Sequence, residues 1–140
     1  MQYQLISTTW EKDKTALSSI RRTVFIEEQN VPEELEWDEF DKSSLHILVT
    51  NKDNTPIATG RMKNDGHIGR MAVLKEFRKA GIGTAIMKEF LSEASKHNLK
   101  RLYLHAQTVA IPFYEKSGFT TCSDSFMDAG IAHKSMQLYL

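Results

Sequence analysis

The chain reads as a mixed α/β domain, a mostly antiparallel sheet flanked by helices, and three stretches carry that expectation. Two apolar runs, Ile57–Met62 and His67–Leu74, flank Asn64-Asp65-Gly66, whose Asp-Gly step accepts the positive φ of a tight hairpin. Ile82, Ala85, Ile86, Phe90 and Ala94 recur at helical spacing and make one apolar stripe. Between strand and helix lies a glycine turn, Gly81-Ile82-Gly83. A meander of strands followed by helix, strand, helix and strand is the order of an α/β layer fold.

In chain order, residues 3–7 form a short strand. A helix is expected over 11–25, with apolar Ala16, Leu17, Ile20, Val24 and Phe25 on one side and Thr9 in the N-cap position. Residues 26–44 contain Pro32 and an acidic run, and predict an irregular segment with a short helix holding Leu35 and Trp37. Strands follow at Leu45–Thr50, 57–62 and 67–74, the first two joined by the polar turn Asn51-Lys52-Asp53-Asn54. The long helix runs over 84–96, and a strand over Leu102–Ala106. A short helix at 109–116 ends before Gly118, a suitable C′ residue. Two last strands are expected at 119–123 and 135–140, joined by a loop at 124–134. No repeat or linker divides the chain, so residues 1–140 are expected to form one domain.

The apolar and charged fractions, 41% and 26%, are those of an ordinary globular domain, and no apolar stretch reaches membrane-spanning length. One cysteine, Cys122, excludes an internal disulfide, and is expected as a buried or partly buried small apolar residue. Without an export-like N-terminus the expected location is cytoplasmic. The five histidines are scattered and no spacing fits a zinc cluster, so no metal is expected. Net charge is zero but segregated. Residues 27–41 carry eight carboxylates and no Lys or Arg, whereas 61–101 carry ten Lys or Arg against four acids. This division suits a polyanionic ligand at one side and a cationic one at the other, or else a solvated acidic loop. The neutral total speaks against nucleic-acid binding.

Residues 78–83 give the pattern R-x-x-G-x-G through Arg78, Gly81 and Gly83, between an apolar strand and a helix start. Glycines let the backbone approach an anion, and the unpaired N–H groups and dipole of the helix N-terminus favour its charge. About thirty residues on stands Ile111-Pro112-Phe113-Tyr114-Glu115-Lys116-Ser117-Gly118-Phe119. The two blocks in this order and spacing resemble the GNAT N-acetyltransferase superfamily, whose members bind acetyl-CoA, and the resemblance covers most of the chain. It extends to a bacterial subgroup with a Val-Phe-x-x-Glu-Gln-x-Val-Pro segment, here from Val24 to Pro32, and an Asp-Ala-Gly-Ile-x-His segment, here Asp128 to His133. Ala132 stands where that subgroup usually has proline.

The resemblance implies a sheet that splays to admit acetyl-CoA as co-substrate. The pantetheine arm and acetyl carbonyl would meet the backbone of Met71, Ala72 and Val73. The pyrophosphate would lie on Arg78, Lys79, Ala80, Gly81, Ile82, Gly83 and Thr84, with Lys75 another phosphate partner. Gln107 stands where many members have an asparagine on the pantetheine arm. Tyr114 is the expected general acid for the departing CoA thiolate, since a phenol with pKa near 10 can donate as charge builds on sulfur. Its alternative role is packing on the cofactor; Phe113 and Phe119 are expected in the core. Glu27, Glu28 and His133 are candidate proton acceptors for the acceptor amine, with Glu28 and His133 preferred; their alternatives are a solvated surface acid and a structural hydrogen bond.

The implied activity is acetyl transfer from acetyl-CoA to a primary amine, first of a small molecule, by direct attack on the thioester. A protein lysine or N-terminus as acceptor, or a non-catalytic acyl-CoA sensor, are the alternatives. The partners expected are acetyl-CoA and an amine, with no nucleic acid and no membrane. A homodimer paired through Met136–Leu140 stands beside a monomer.

Overall fold

The computed structural model describes residues 2–140. Strand β1 (Tyr3–Thr8) leads into helix α1 (Trp10–Arg21), which Thr9 caps by accepting the Lys12 amide at 3.2 Å. The helix does not stop near residue 25. It continues as a π-helical segment, Arg22–Glu28, in which the Gln29 amide reaches the Val24 carbonyl at 3.1 Å. Wider π turns are uncommon and gather at functional sites. Helix α2 is a single turn, Glu33–Glu36; Leu35 lies in it, but Trp37 is extended beyond it.

Strands β2 (Leu45–Asn51), β3 (Pro56–Met62) and β4 (Ile68–Val73) complete an antiparallel sheet in the order β1-β2-β3-β4. Helix α3 (Ile82–Lys96) follows, then β5 (Arg101–Gln107) and helix α4 (Ile111–Glu115). The last strands, β6 (Thr120–Thr121), β7 (Phe126–Asp128) and β8 (Ile131–Tyr139), form a second sheet ordered β5-β8-β6 with β7 also on β8. The region expected as a loop at 124–134 is thus largely a hairpin. Ala129 and Gly130, at φ +52 and +77, turn β7 back onto β8. Strand β6 is correspondingly short, and Cys122 just past it is exposed rather than buried because nothing packs over residues 120–125.

The first sheet is covered on both faces. Leu48 and Ala72, aligned through Thr59, face Trp10, Leu17 and Ile20 of α1 and Val24 of the π-helical segment. Ile47 and Val49 face Ile82, Ile86, Met87 and Phe90 of α3. Fully buried aliphatic side chains such as Leu17 and Ile86 each contribute about 1.5–3 kcal/mol. Strand β4 is bulged: Thr59 pairs with Ala72 and Arg61 with Gly69, so Gly60 opposes both Arg70 and Met71. Arg70 takes up the extra residue at φ +50, a left-handed conformation costing about 1–2 kcal/mol outside glycine.

Candidate active site

Strands β4 and β5 are the facing edges of the two sheets, and among the described residues they are joined by one parallel bridge, His67 to Tyr103. Beyond it they part, leaving the backbone edge of Met71–Val73 opposite Gln107. The gap is a cleft of about 790 Å³, a size suited to a drug-sized ligand.

One end of the cleft is built from backbone. Lys79 and Gly81 adopt φ +64 and +81, and Gly81 caps α3 with no side-chain cap. The first intrahelical bond runs from the Ala85 amide to the Gly81 carbonyl, so the amides of Ile82, Gly83 and Thr84 have no partner within the helix. They sit at the positive end of a fifteen-residue dipole, with Lys79 also lining the cleft. A Cβ at Gly83 would meet the Phe113 ring at 3.1 Å, so α4 packs directly on this turn. Phe113 is therefore a wall of the cleft as well as a packing residue, whereas Phe119 is core, 2% exposed.

Arg78 stands at this end but is already engaged. Its Nε donates to the Val73 carbonyl at 2.8 Å, and its two terminal nitrogens hold Glu28 in a fork, each at 2.7 Å. Those hydrogen bonds hold the Glu28 carboxyl below the ordinary glutamate range. Glu28 does not line the cleft. Glu28, expected at the acceptor amine, is here paired with an arginine fifty residues on, and both its carboxylate oxygens are engaged.

Tyr114 projects from α4 into the middle of the cleft, its Oη 4.0 Å from the Met71 sulfur. Burial raises its phenol to about 12, so it carries its proton at neutral pH. Gln107, at the end of β5, also lines the cleft, but its amide donates to Gln29 Oε1 at 2.9 Å. The π-helical end of α1 thus spans the opening, tied to one wall through Glu28 and to the other through Gln29.

At the other end three histidines line the cleft: His67, His105 and His133. His67 stacks on Tyr103 at 4.6 Å, and burial, followed by the nearby His105, lowers its pKa to about 4. His105 meets Ser135 Oγ through Nδ1 at 2.8 Å. His133, 8% exposed, donates from Nδ1 to the Ile131 carbonyl at 2.7 Å, which leaves Nε2 as the acceptor nitrogen. Among the described residues no three metal-ligating side chains are grouped to hold an ion.

Behind this end lies a buried ionic network. Arg21, 1% exposed, is sandwiched between Trp10 and Trp37 at 5.3 and 5.1 Å. It donates to Glu36 Oε2 at 2.8 Å and Asp41 Oδ1 at 2.7 Å. Arg61 reaches Asp38 and Asp41 at 2.7 and 3.0 Å. Arg70, from the bulge, reaches Glu36, Asp38 and the Glu36 carbonyl. With Glu28 on Arg78 and Glu33 on Arg22, five of the eight acids of 27–41 are paired. Most of the acidic run is therefore neutralised within the fold, because distant strands and helices supply the arginines its own sequence lacks.

The structure thus brings the predicted cofactor-side residues 71–73, 78, 79, 81–84, 107 and 114 to one cleft, with His133 at its far end; Ala80 lies in the same turn but does not line it. Sequence reading missed His67, His105, Gln29 and the arginine network. His105 was the most accessible of these, since it shares a strand face with Gln107 two residues on.

The chain matches the acetyltransferase (GNAT) domain family over residues 9–140. It is 42% identical over 121 residues to YjcF of Bacillus subtilis, named an uncharacterized N-acetyltransferase, covering 84% of this chain and 86% of that one. Protein ElaA of Escherichia coli is 30% identical over 128 residues, covering 86% and 84%. The crystal structure of ElaA superposes with a TM-score of 0.87 at 26% identity, over 97% and 99% of the two chains. The fold is shared at 16% identity, TM-score 0.72 and 99% coverage of each chain, with an Elizabethkingia anophelis GNAT acetyltransferase described with acetyl-CoA bound. The chain belongs to the GNAT acetyltransferase family and is an acyltransferase.

Proposed function

We propose that this GNAT family member transfers the acetyl group of acetyl-CoA to a primary amine of a small molecule. One observation carries the reading: a phenol that stays protonated, Tyr114, projects into a cleft whose mouth is an uncapped helix N-terminus with a left-handed glycine. The free amides of Ile82, Gly83 and Thr84 and the turn at Lys79–Gly81 fit a pyrophosphate. The edge of Met71–Val73 fits an extended amide-bearing arm, and Gln107 joins it once released from Gln29. The thioester supplies an activated acetyl carbonyl. Backbone N–H groups of β4 stabilise the oxyanion formed when the amine attacks. Tyr114 gives its proton to the sulfur as the C–S bond breaks. Arg78 is positioned by Glu28 at the phosphate end, and His133 offers Nε2 to the acceptor side.

The test is release of CoA from acetyl-CoA across a panel of amines and peptides, measured beside acetyl-CoA affinity. Amine-dependent release with small amines is expected. Release only with peptides would move the acceptor to proteins, and tight binding without release would make the chain an acyl-CoA sensor.

A further inference from the structure

Resting on that reading, we propose that Glu36 receives the acceptor: its free carboxylate oxygen binds the substrate ammonium and takes its proton before attack. Glu36 is 3% exposed yet lines the cleft, next to Gly69, Arg70 and Met71 in the cleft wall. Its Oε2 is held by Arg21 at 2.8 Å and by Arg70 at 3.2 Å, and its backbone carbonyl by the same two arginines. Oε1 accepts no hydrogen bond among the described residues. A buried carboxylate with one oxygen fixed and the other unpartnered at a cleft wall has a ligand still to satisfy.

The chemistry that satisfies it is a cation with hydrogens to donate. Three arginines (Arg21, Arg61, Arg70) face three carboxylates (Glu36, Asp38, Asp41), so the network is neutral as built and holds no spare positive charge against an incoming ammonium. Burial, the largest influence, raises the Glu36 carboxyl above its ordinary value despite Arg70 and Arg21, with Asp41 adding to the rise, which brings it closer to a useful base. The bulge matters here: by turning Arg70 back onto Glu36 and its carbonyl, it places this carboxylate at the strand that carries Met71, and Met71 touches Tyr114.

Proton accounting closes. One ammonium N–H bond breaks as Oε1–H forms, and the freed pair makes the C–N bond to the thioester carbon. The second proton lost from nitrogen, in the tetrahedral adduct, replaces the one Tyr114 gives to sulfur. Glu36 returns its proton to solvent as the amide leaves.

Glu36→Gln tests this. Expected are unchanged acetyl-CoA affinity and a loss of about 10²–10⁴-fold in kcat/KM for ordinary alkylamines. The loss should shrink for an amine of low pKa, already unprotonated at the assay pH. In the wild type kcat/KM should rise with pH as Glu36 ionises among Arg21, Arg70, Asp41, Arg61 and Asp38; in the variant the rise should move up to the solution pKa of the amine. Equal loss for both amines, or an unmoved profile, would make Glu36 structural and overturn the proposal. If the variant fails to bind acetyl-CoA, the wild type decides by carboxyl-carbon NMR: a tertiary amine, which cannot be acetylated, should shift the Glu36 signal, and no shift overturns the proposal. No amine-dependent turnover by the wild type would instead sink the acetyltransferase reading itself.

Discussion

The two ends of the cleft are made by opposite means. The end proposed for the phosphates is backbone from one short stretch, residues 78–84: two left-handed residues and three helix amides, partly open to solvent. The end proposed for the acceptor is backed by side chains drawn from α1, α2, β3, β4 and the turn at 38–41, of which Arg21, Glu36, Arg61 and Asp41 are buried and Arg70 and Asp38 partly exposed. The first is cheap to form, since the glycine and the helix start dictate it locally. The second is costly to form, because four of its six charges are buried and only mutual pairing offsets their lost water. It follows that damage at one end should be read as lost affinity and damage at the other as lost stability or altered acceptor chemistry.

The largest effect should come from unbalancing the buried end. Arg21→Leu removes the arginine shared by Glu36 and Asp41, leaving three carboxylates to two arginines, and should cost about 3–5 kcal/mol in chemical denaturation. Asp41's share of the pH dependence has a definite sign, opposite to that of Glu36, whose raised carboxyl favours the folded state as pH falls. Burial pushes Asp41 up, but the hydrogen bonds and charges of Arg21 and Arg61 outweigh it and leave the carboxyl below its ordinary value. Its stabilisation is therefore present above the unfolded carboxylate pKa of about 3.9 and is lost as pH falls through the lower folded value. Denaturation curves from pH 7 to pH 2 should show that loss in the wild type and a smaller one in Arg21→Leu. Superimposable profiles for the wild type and Arg21→Leu would deny that Arg21 holds Asp41 ionised.

Next in size is Tyr114→Phe, which keeps the ring against Met71 and removes the proton. A fall in kcat of about 100-fold is expected with acetyl-CoA affinity unchanged, and the fall should narrow for acyl donors whose leaving thiol is more acidic. Wild-type turnover with chemistry rate-limiting would reduce Tyr114 to packing. Smaller again is Gly81→Asp. A Cβ there meets nothing within 4 Å, so the fold should survive while strain at φ +81 and a negative charge oppose the phosphates. We expect acetyl-CoA to bind on the order of tenfold more weakly, by calorimetry, in line with about 1–2 kcal/mol for a charge at a helix terminus. Unchanged affinity would place the pyrophosphate elsewhere. The smallest effect belongs to Glu28→Gln, which loosens the fork on Arg78. The pair is more than one-third exposed, so the stability change should stay within about 0.2–1 kcal/mol and fade with added salt. A loss as large as that of Arg21→Leu would erase the contrast between the two ends.

What the sequence determined by itself is whatever a few neighbouring residues decide. Thr9 caps its helix because its side chain needs only the amide three residues on. Asp65-Gly66 turns its hairpin, Gly81 opens α3, and the stripe from Ile82 to Ala94 faces a sheet, each for reasons contained within one turn or one period. Resemblance added Tyr114 and the 71–73 edge, which the fold then set on opposite walls of one cleft. The tertiary structure alone decided the partners of charge. Nothing near Glu36 in sequence marks it apart from Glu34 or Glu39, and Glu28 looked as free as any. Coulombic pairing depends on distance in space, and the arginines that pair with them lie fifteen to fifty residues away in sequence. The hairpin at Phe126–His133 was equally invisible, because β7 exists only where β8 offers it an edge. Local geometry is written in local sequence; which carboxylate is spent and which keeps an oxygen free is settled by packing between distant elements.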